Sequence, residues 1–532
     1  MMRHRILLAL IVAVFAGVAG TAIRHTSTTF DEVLLPSAGA RGYVTGEFDL
    51  VLDHPPFLQY LYGLPVYLDG PNYPREDVVD WSYPGRYQYA NAFYFGSGND
   101  PERIAFIARL VGVALGVLLI LTTFAFTRSA YGRSAGVVAA ALVAFVPDVL
   151  AHSGISYNDV PLALVLLAAT WAGDVAARDP RIGRIALAGA ATGLALGVKF
   201  SAIVMGPIAL LLILLEGARR WPDPEWVRRI LIGIPVFAIA AYLVLVAVYL
   251  GDFTLREFWF GLDFNIKHAN DGHGAPAVLL GDYSEQGWWY FFPVAFFLKT
   301  SIGLHVLLFL SLVGLALEPV RAGWRALADS PARVPIVGGL VLLGFVMAAD
   351  LNIGFRHALP LLPFACVLIA AGVVRLWNLR RTWLRATIAI ALAWHIISPL
   401  RFYPFFLSYL SEYTGPVEYS YETLVDSSLD WGQGLLALRD FMQEENVPAV
   451  LLSYFGSAPP AGYGINYVAL PSFAPLAPLP MPPGDTLPRW VAISATNLAG
   501  NYLPDDPFAR FRDIEPYRVV GRSIFVFYLE GE

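Results

Sequence analysis

Two adjacent carboxylates, Asp31 and Glu32, stand in SerThrThrPheAspGluVal, 27–33, just after an almost unbroken apolar run that starts at the N-terminus. A carboxylate within hydrogen-bond reach of a hydroxyl can take its proton as that oxygen attacks. In isolation such a dipeptide is most simply a solvated acidic loop. Its setting matters because the chain has only three lysines, two of them in apolar surroundings: Lys199 in GlyValLysPheSer and Lys299 in PhePheLeuLysThrSer. A charge at membrane depth is costly and usually faces a cavity or a partner. Arg356, in AsnIleGlyPheArgHisAlaLeuPro, enters at the same face. Lys199, Lys299 and Arg356 therefore predict an anion site beside lipid, suited to the phosphate of a lipid carrier. Lys267 is explained by a long stem that lifts its ammonium to the headgroups. A departing phosphate needs cations more than a general acid. One carboxylate base and a cation cluster would thus be enough for inverting transfer of a sugar from a lipid phosphate to a hydroxyl.

The elements that must position these groups are apolar helices. The 532-residue chain is 57% hydrophobic and 15% charged, against roughly a quarter charged in a soluble protein. Apolar windows fall near 6–23, 104–126, 135–150, 160–176, 185–198, 201–215, 230–250, 290–316, 334–349, 358–374 and 386–400. Runs of roughly 20 apolar residues span a bilayer, so the prediction is a polytopic α-helical membrane protein of about eleven transmembrane helices. The windows 185–198 and 201–215 are short enough to be two helices or one broken one. Arg3 and Arg5 before the first window could head a secretory signal, but the further spans favour an uncleaved helix. Eighteen of the 33 arginines, from Arg3 and Arg5 to Arg381 and Arg385, fall at the N-terminus or in one set of short connections. The positive-inside rule makes that set cytoplasmic. Residues 24–103, 251–289 and 401–532 then lie outside. The expected division is a transmembrane domain, 1–400, carrying the first two as outer loops, and an extracytoplasmic α/β domain, 401–532. In the latter, 435–442 has helical spacing, while 449–455 and 523–529 read as strands. The net charge of −6 is uninformative when charge is sorted by side, and the single cysteine, Cys366, excludes an intrachain disulfide.

Several segments resemble the GT-C fold glycosyltransferases that use polyprenyl-phosphate sugars, relatives of the protein O-mannosyltransferases and the lipid A aminoarabinose transferase. PheAspGlu, 30–32, is similar to the acidic motif of their first outer loop, and AspHisProProPheLeuGlnTyrLeu, 53–61, to the segment that follows. TyrGlyArgSerAlaGly, 131–136, and AlaHisSerGlyIleSerTyrAsnAspValPro, 151–161, resemble the second-loop pattern that ends in an aspartate. LeuAlaLeuGlyValLysPheSer, 194–201, residues 287–300 and 351–364, and ValAspSerSerLeuAspTrpGlyGln, 425–433, resemble later blocks of one bacterial branch, close to family 39. The resemblance implies Asp31 as catalytic base, with Glu32 supporting it or binding acceptor. It implies Lys199, Lys299 and Arg356 as the donor-phosphate site, with His54, Asp159 and His357 lining the cavity. It further implies a polyprenyl-phosphate-sugar donor, a protein, lipid or glycan acceptor, membrane lipid as surroundings and a plasma (inner) membrane location with the N-terminus cytoplasmic. His357 stands where relatives often carry Tyr, and TyrAsnAsp, 157–159, where Thr-Asp pairs are common, so sugar and acceptor stay open. The competing reading is a transporter or flippase of a lipid-linked anionic glycan, although no paired halves of the kind such proteins show are visible.

The remaining candidates have simpler readings. HisAlaAsnAspGlyHisGly, 268–274, could converge on a divalent metal but better suits a loop covering the site; no cofactor is certain. His152 and His305 read as helix-packing histidines. Asp426, Asp430 and Trp431 could contact a sugar acceptor, but the aspartates more simply read as caps of a helix that begins near 432. TrpTrpTyrPhePhe, 288–292, reads as an interfacial aromatic belt. No nucleic-acid motif is present.

Overall fold

The computed structural model describes residues 2–75, 85–271, 274–316, 324–479 and 487–529. Among these, seven helices are long and apolar enough to cross a bilayer: Met2–Ala22, Pro101–Tyr131, Asp159–Arg178, Phe200–Arg220, Pro224–Val248, Leu361–Asn378 and Thr382–Leu400. Two bent pairs raise the number to nine if each crosses once: Arg133–Ala144 with Pro147–Ser153, bent by 67°, and Phe291–Lys299 with Ile302–Leu315, bent by 117°. The chain is a multi-pass membrane protein. The two remaining apolar windows form helices Ile182–Val198 and Arg333–Met347, of 17 and 15 residues, short of the roughly 20 residues a bilayer asks for. Residues 182–220 are two helices separated by extended backbone at Lys199 (φ −157°, ψ 139°).

Helix starts follow local chemistry. Asp100 accepts a hydrogen bond from the Arg103 N–H, and Asp223 accepts from those of Glu225 and Trp226; proline follows each at the first helical position. Proline there loses no helical hydrogen bond and brings its φ preset. Ile182–Val198 packs very closely on Pro224–Val248. A Cβ at Gly189 would lie 2.3 Å from the Phe237 carbonyl oxygen, and one at Gly193 2.4 Å from that of Ala241, so only glycine allows this approach.

At one end of the bundle, the buried Arg333 bonds the Asp174 carboxylate and, at 2.6 Å, Glu216. Arg219 and Arg220 bond the same Glu216. One guanidinium thereby ties together helices Asp159–Arg178, Phe200–Arg220 and Arg333–Met347. At the other end the helices are interrupted: at 145–146, 154–158, Lys199, 300–301 and 348–360.

The C-terminal part is a domain built on a five-stranded sheet, with strands β3 (Val450–Ser453), β4 (Tyr467–Ala469), β5 (Trp490–Ser494), β6 (Arg518–Val520) and β7 (Ile524–Tyr528) in the order β4-β3-β5-β7-β6. Strand β3 runs parallel to both neighbours, and β7 antiparallel to both of its own. The helix Leu435–Glu444 buries Leu435, Leu438 and Phe441 with Val450, Leu452 and Val526 of the sheet. The predicted helix and strands are thus present. Asp426 and Asp430 do not cap that helix: its N-cap is Gly434, without a side-chain cap. Asp430 is instead turned inward, accepting from the Thr496 and Gly432 N–H groups at 3.2 and 3.4 Å. A hairpin, β1 (Ala277–Leu279) and β2 (Asp282–Ser284), docks on this domain through Leu280 N–H to Thr423 O, 3.1 Å, and Gly281 N–H to Glu422 O, 2.7 Å. The domain is also bonded to the first loop, where Phe30 N–H donates to Trp431 O at 2.8 Å and Ser27 N–H to Gln433 O at 3.1 Å.

Candidate active site

The helix interruptions converge on one polar cluster. Asp31 lies in the turn between Met2–Ala22 and Leu34–Thr45, and its Oδ1 accepts the Tyr87 hydroxyl at 2.7 Å. Its Oδ2 is 3.7 Å from an Arg356 guanidinium nitrogen. Arg356 belongs to a single 3-10 turn, Phe355–Ala358, and its Nη1 is 3.9 Å from Asp159 Oδ2. Asp159 opens the helix Asp159–Arg178. Its Oδ1 accepts from Lys199 Nζ at 2.9 Å. Four separate helix breaks thus supply a carboxylate base candidate, two cations and the carboxylate between those cations.

Aromatic rings and hydroxyls hold the arginine. Arg356 lies 4.3 Å from the Trp431 ring centroid and 5.5 Å from that of Tyr157, and its Nε donates to Ser427 Oγ at 3.1 Å. Burial alone would lower its pKa, but Asp159, Tyr157 and Asp31 outweigh that and push it higher still, so it is a fixed positive charge. His54 Nε2 is 2.6 Å from the Tyr157 hydroxyl. Burial, with Arg86 and Lys199 nearby, holds the His54 pKa below the usual imidazole range despite Asp53. The neighbouring Asp53 is paired with Arg86; His54 and Arg86 overcome its burial and hold its carboxyl low. His357 follows Arg356 in the same turn and is close enough to Asp159 to act on its charge.

Asp31, Lys199, Arg356, His54, Asp159 and His357 are therefore gathered, whereas two predicted residues are engaged elsewhere. Glu32 is fully buried, its carboxylate forked onto Arg109 at 2.7 and 2.8 Å and accepting from the Thr29 and Ser156 N–H groups. A carboxylate so enclosed shapes the loop and does not face a substrate. Lys299 is also fully buried. It donates to three carbonyls, Leu407 O at 2.7 Å, Tyr409 O at 2.9 Å and Ser428 O at 2.6 Å, with Asp148 3.7 Å away. Three donors are all an ammonium has, so Lys299 has none left for a phosphate. Sequence reasoning missed the parts played by Tyr87, Tyr157 and Ser427. Tyr157 and Ser427 lie inside the segments 151–161 and 425–433 that carry the family resemblance, Trp431 was considered only as an acceptor contact, and Tyr87 carried no signal.

Beside the cluster, an apolar cavity of about 390 Å³ opens between helices and is lined by Phe292, Phe296, Leu340, Leu343, Phe355 and Leu361 among others. Phe355 immediately precedes Arg356. Among the described residues no group of three or more His, Cys, Asp or Glu could hold a metal. The 268–274 candidate lies partly outside the described residues, which exclude His273 and the Asp271 side chain.

Residues 103–250 match the family described as dolichyl-phosphate-mannose-protein mannosyltransferase. No curated protein matches the chain. Among solved structures, ArnT from Cupriavidus metallidurans in the apo state is similar over 97% of both chains, at 13% identity and a TM-score of 0.51. The same protein bound to undecaprenyl phosphate gives 14% identity, 97% of both chains and a TM-score of 0.49. The Archaeoglobus fulgidus oligosaccharyltransferase in complex with Zn and sulfate matches at 14% identity, over 77% of this chain and 54% of its own, with a TM-score of 0.44. Taken with the order of helices and the C-terminal sheet, the likeness to apo ArnT shows that this chain shares the fold of that protein.

Proposed function

We propose that the protein is a membrane glycosyltransferase that moves a sugar from a polyprenyl-phosphate donor to a hydroxyl acceptor, with inversion. The observation that carries this reading is the placement of Asp31 against Arg356, with Lys199 and Arg356 bracketing Asp159. The acceptor hydroxyl gives its proton to Asp31 as its oxygen attacks the anomeric carbon. The bond from that carbon to the phosphate oxygen breaks, and the electron pair leaves with the phosphate. Lys199 and Arg356 hold that charge as it develops, where fixed cations accelerate most. The apolar cavity beside Phe355 takes the prenyl chain, so the lipid enters sideways from the membrane. Tyr87 fixes one oxygen of Asp31 and leaves the other for the acceptor. Glu32 with Arg109, and Lys299 with its three carbonyls, hold the loops that present these groups. His54, through Tyr157, and His357 line the sugar-binding space.

The topology proposed with this reading has eleven crossings, counting the two bent pairs and the two short helices once each, and puts the arginine-tied end in the cytoplasm. Residues 1–400 form the catalytic membrane domain, and 401–532 an extracytoplasmic domain that closes over the site. The experiment is to incubate the purified protein with a panel of lipid-phosphate sugars and identify which is consumed. Asp31→Asn is expected to lower transfer by about a hundredfold or more while the protein remains folded and inserted. Undiminished transfer by that variant would exclude Asp31 as the base.

A further inference from the structure

Behind the cations lies a second set of charged groups that the transfer step does not use. His152, 2% exposed, sits with Nδ1 3.5 Å from Asp159 Oδ2 and Nε2 4.0 Å from Asp148 Oδ1. Among the described residues neither ring nitrogen has a hydrogen-bond partner, and the same is true of both Asp148 oxygens and of Asp159 Oδ2. Asp148 is fully buried, and Lys299 beside it has spent its donors on carbonyls. Buried polar atoms are ordinarily paired, so this array is incomplete as it stands. A neutral imidazole has one N–H and can serve only one of the two carboxylates; the imidazolium serves both.

The charges that act on His152 come from several elements, and the Trp431 ring, 6.2 Å from its own, adds none. Asp148 is on its own helix, Asp159 on the next, Lys199 at a helix break, Lys299 at the end of Phe291–Lys299 and Arg356 in the 3-10 turn. Around His152 three cations, Lys199, Lys299 and Arg356, face the carboxylates Asp148 and Asp159, and Asp31 and Asp426 act on Arg356 from beyond it, so positive and negative charge stand close to balance. Anion binding upsets that balance. A phosphate seated on Lys199 and Arg356 takes the counter-charges of Asp159, and the nearest group able to replace them is His152.

We propose that binding of a phosphate-ester anion at Lys199 and Arg356 is coupled to uptake of a proton by His152, which becomes the counter-ion of Asp159. The inference rests on the lipid-phosphate reading above. No bond between heavy atoms is made or broken; for each anion bound, one proton leaves a solvent O–H and forms the second N–H of the imidazole. His152 is a positioning residue in this scheme, because it keeps Asp159 from competing for the cations.

The test is calorimetric titration of the full-length, detergent-solubilised protein with farnesyl methyl phosphate, a diester whose single charge is constant near neutral pH. Buffers of different protonation enthalpy report the protons taken up. The wild type is expected to take up about one proton per diester bound, with affinity falling up to about tenfold per unit rise in pH. His152→Gln is expected to bind with no uptake and a flat pH profile. Asp159→Asn, a second variant should the first not fold, is also expected to lose the uptake. Wild-type binding without uptake, or unchanged uptake in either variant, overturns the proposal and leaves the lipid-phosphate reading standing. Absence of diester binding at any pH overturns that reading and this inference with it. Dimethyl phosphate, the same anion without a prenyl chain, is expected to bind far more weakly; equal affinity would overturn a lipid as the source of the phosphate.

Discussion

Asp430 shows how a single buried side chain can set a stability profile. It is fully enclosed by the C-terminal domain and the loop 425–433, and burial pushes its carboxyl from 3.8 to about 7, against the hydrogen bonds from Thr496 and Gly432. The folded state therefore favours the protonated form. The stabilisation is present in full below the unfolded value and is lost as pH rises through about 7. Asp430→Asn keeps an acceptor oxygen without a charge. Thermal unfolding of the wild type should shift downward as pH is raised across this range, and that of the variant should shift less. Equal pH dependence in the two would show that Asp430 is not the group responsible. At this scale the sequence reveals which residue types are out of place in apolar surroundings but not what they touch. Lys199 and Lys299 look alike in the sequence. One ends 2.9 Å from Asp159, the other beneath carbonyls more than a hundred residues away in the chain. Likewise, Glu32 directly follows Asp31, yet Arg109 decides its role.

Among the elements, interruption matters more than length. Asp31, Lys199 and Arg356 stand where a helix has stopped and Asp159 where one begins, and the backbone polar groups freed there are tolerated because they face a protein interior. Apolar windows locate such breaks well, which is why Asp31, Lys199 and Arg356 could be placed at one face, whereas Asp159 was implied by the family resemblance alone. They say less about whether a 15- or 17-residue helix crosses alone, since depth depends on neighbours. Ile182–Val198, which delivers Lys199, depends on its contact with Pro224–Val248. Gly189→Val would drive a side chain into the Phe237 carbonyl, 2.3 Å from where its Cβ would lie. The expected cost is about 1–3 kcal/mol or more, seen as a lowered unfolding temperature in detergent. Gly183→Ala, on the same helix with open space around it, should leave that temperature nearly unchanged; equal losses in both would mean that glycine content alone is responsible.

Across the whole molecule, the C-terminal domain completes the site. Ser427 and Trp431 touch Arg356, while Gln433 and Trp431 bond the backbone of the loop that carries Asp31. Trp431→Ala removes a cation–π contact worth about 1–2 kcal/mol when desolvated, so affinity for a prenyl phosphate should fall about tenfold with the protein still folded. An unchanged affinity would mean that the domain merely adjoins the cluster. The knot around Arg333 bears on the molecule as a whole in another way. It joins the three helices that lead to Asp159, Lys199 and Arg356 at the end remote from those residues, so the bundle resembles a book held at its spine. If a lipid enters as proposed, the leaves would part at the site while the bound edge stayed shut. A cargo admitted at that mouth would have to leave by the same opening, and a molecule built this way is suited to altering what enters it rather than passing it through.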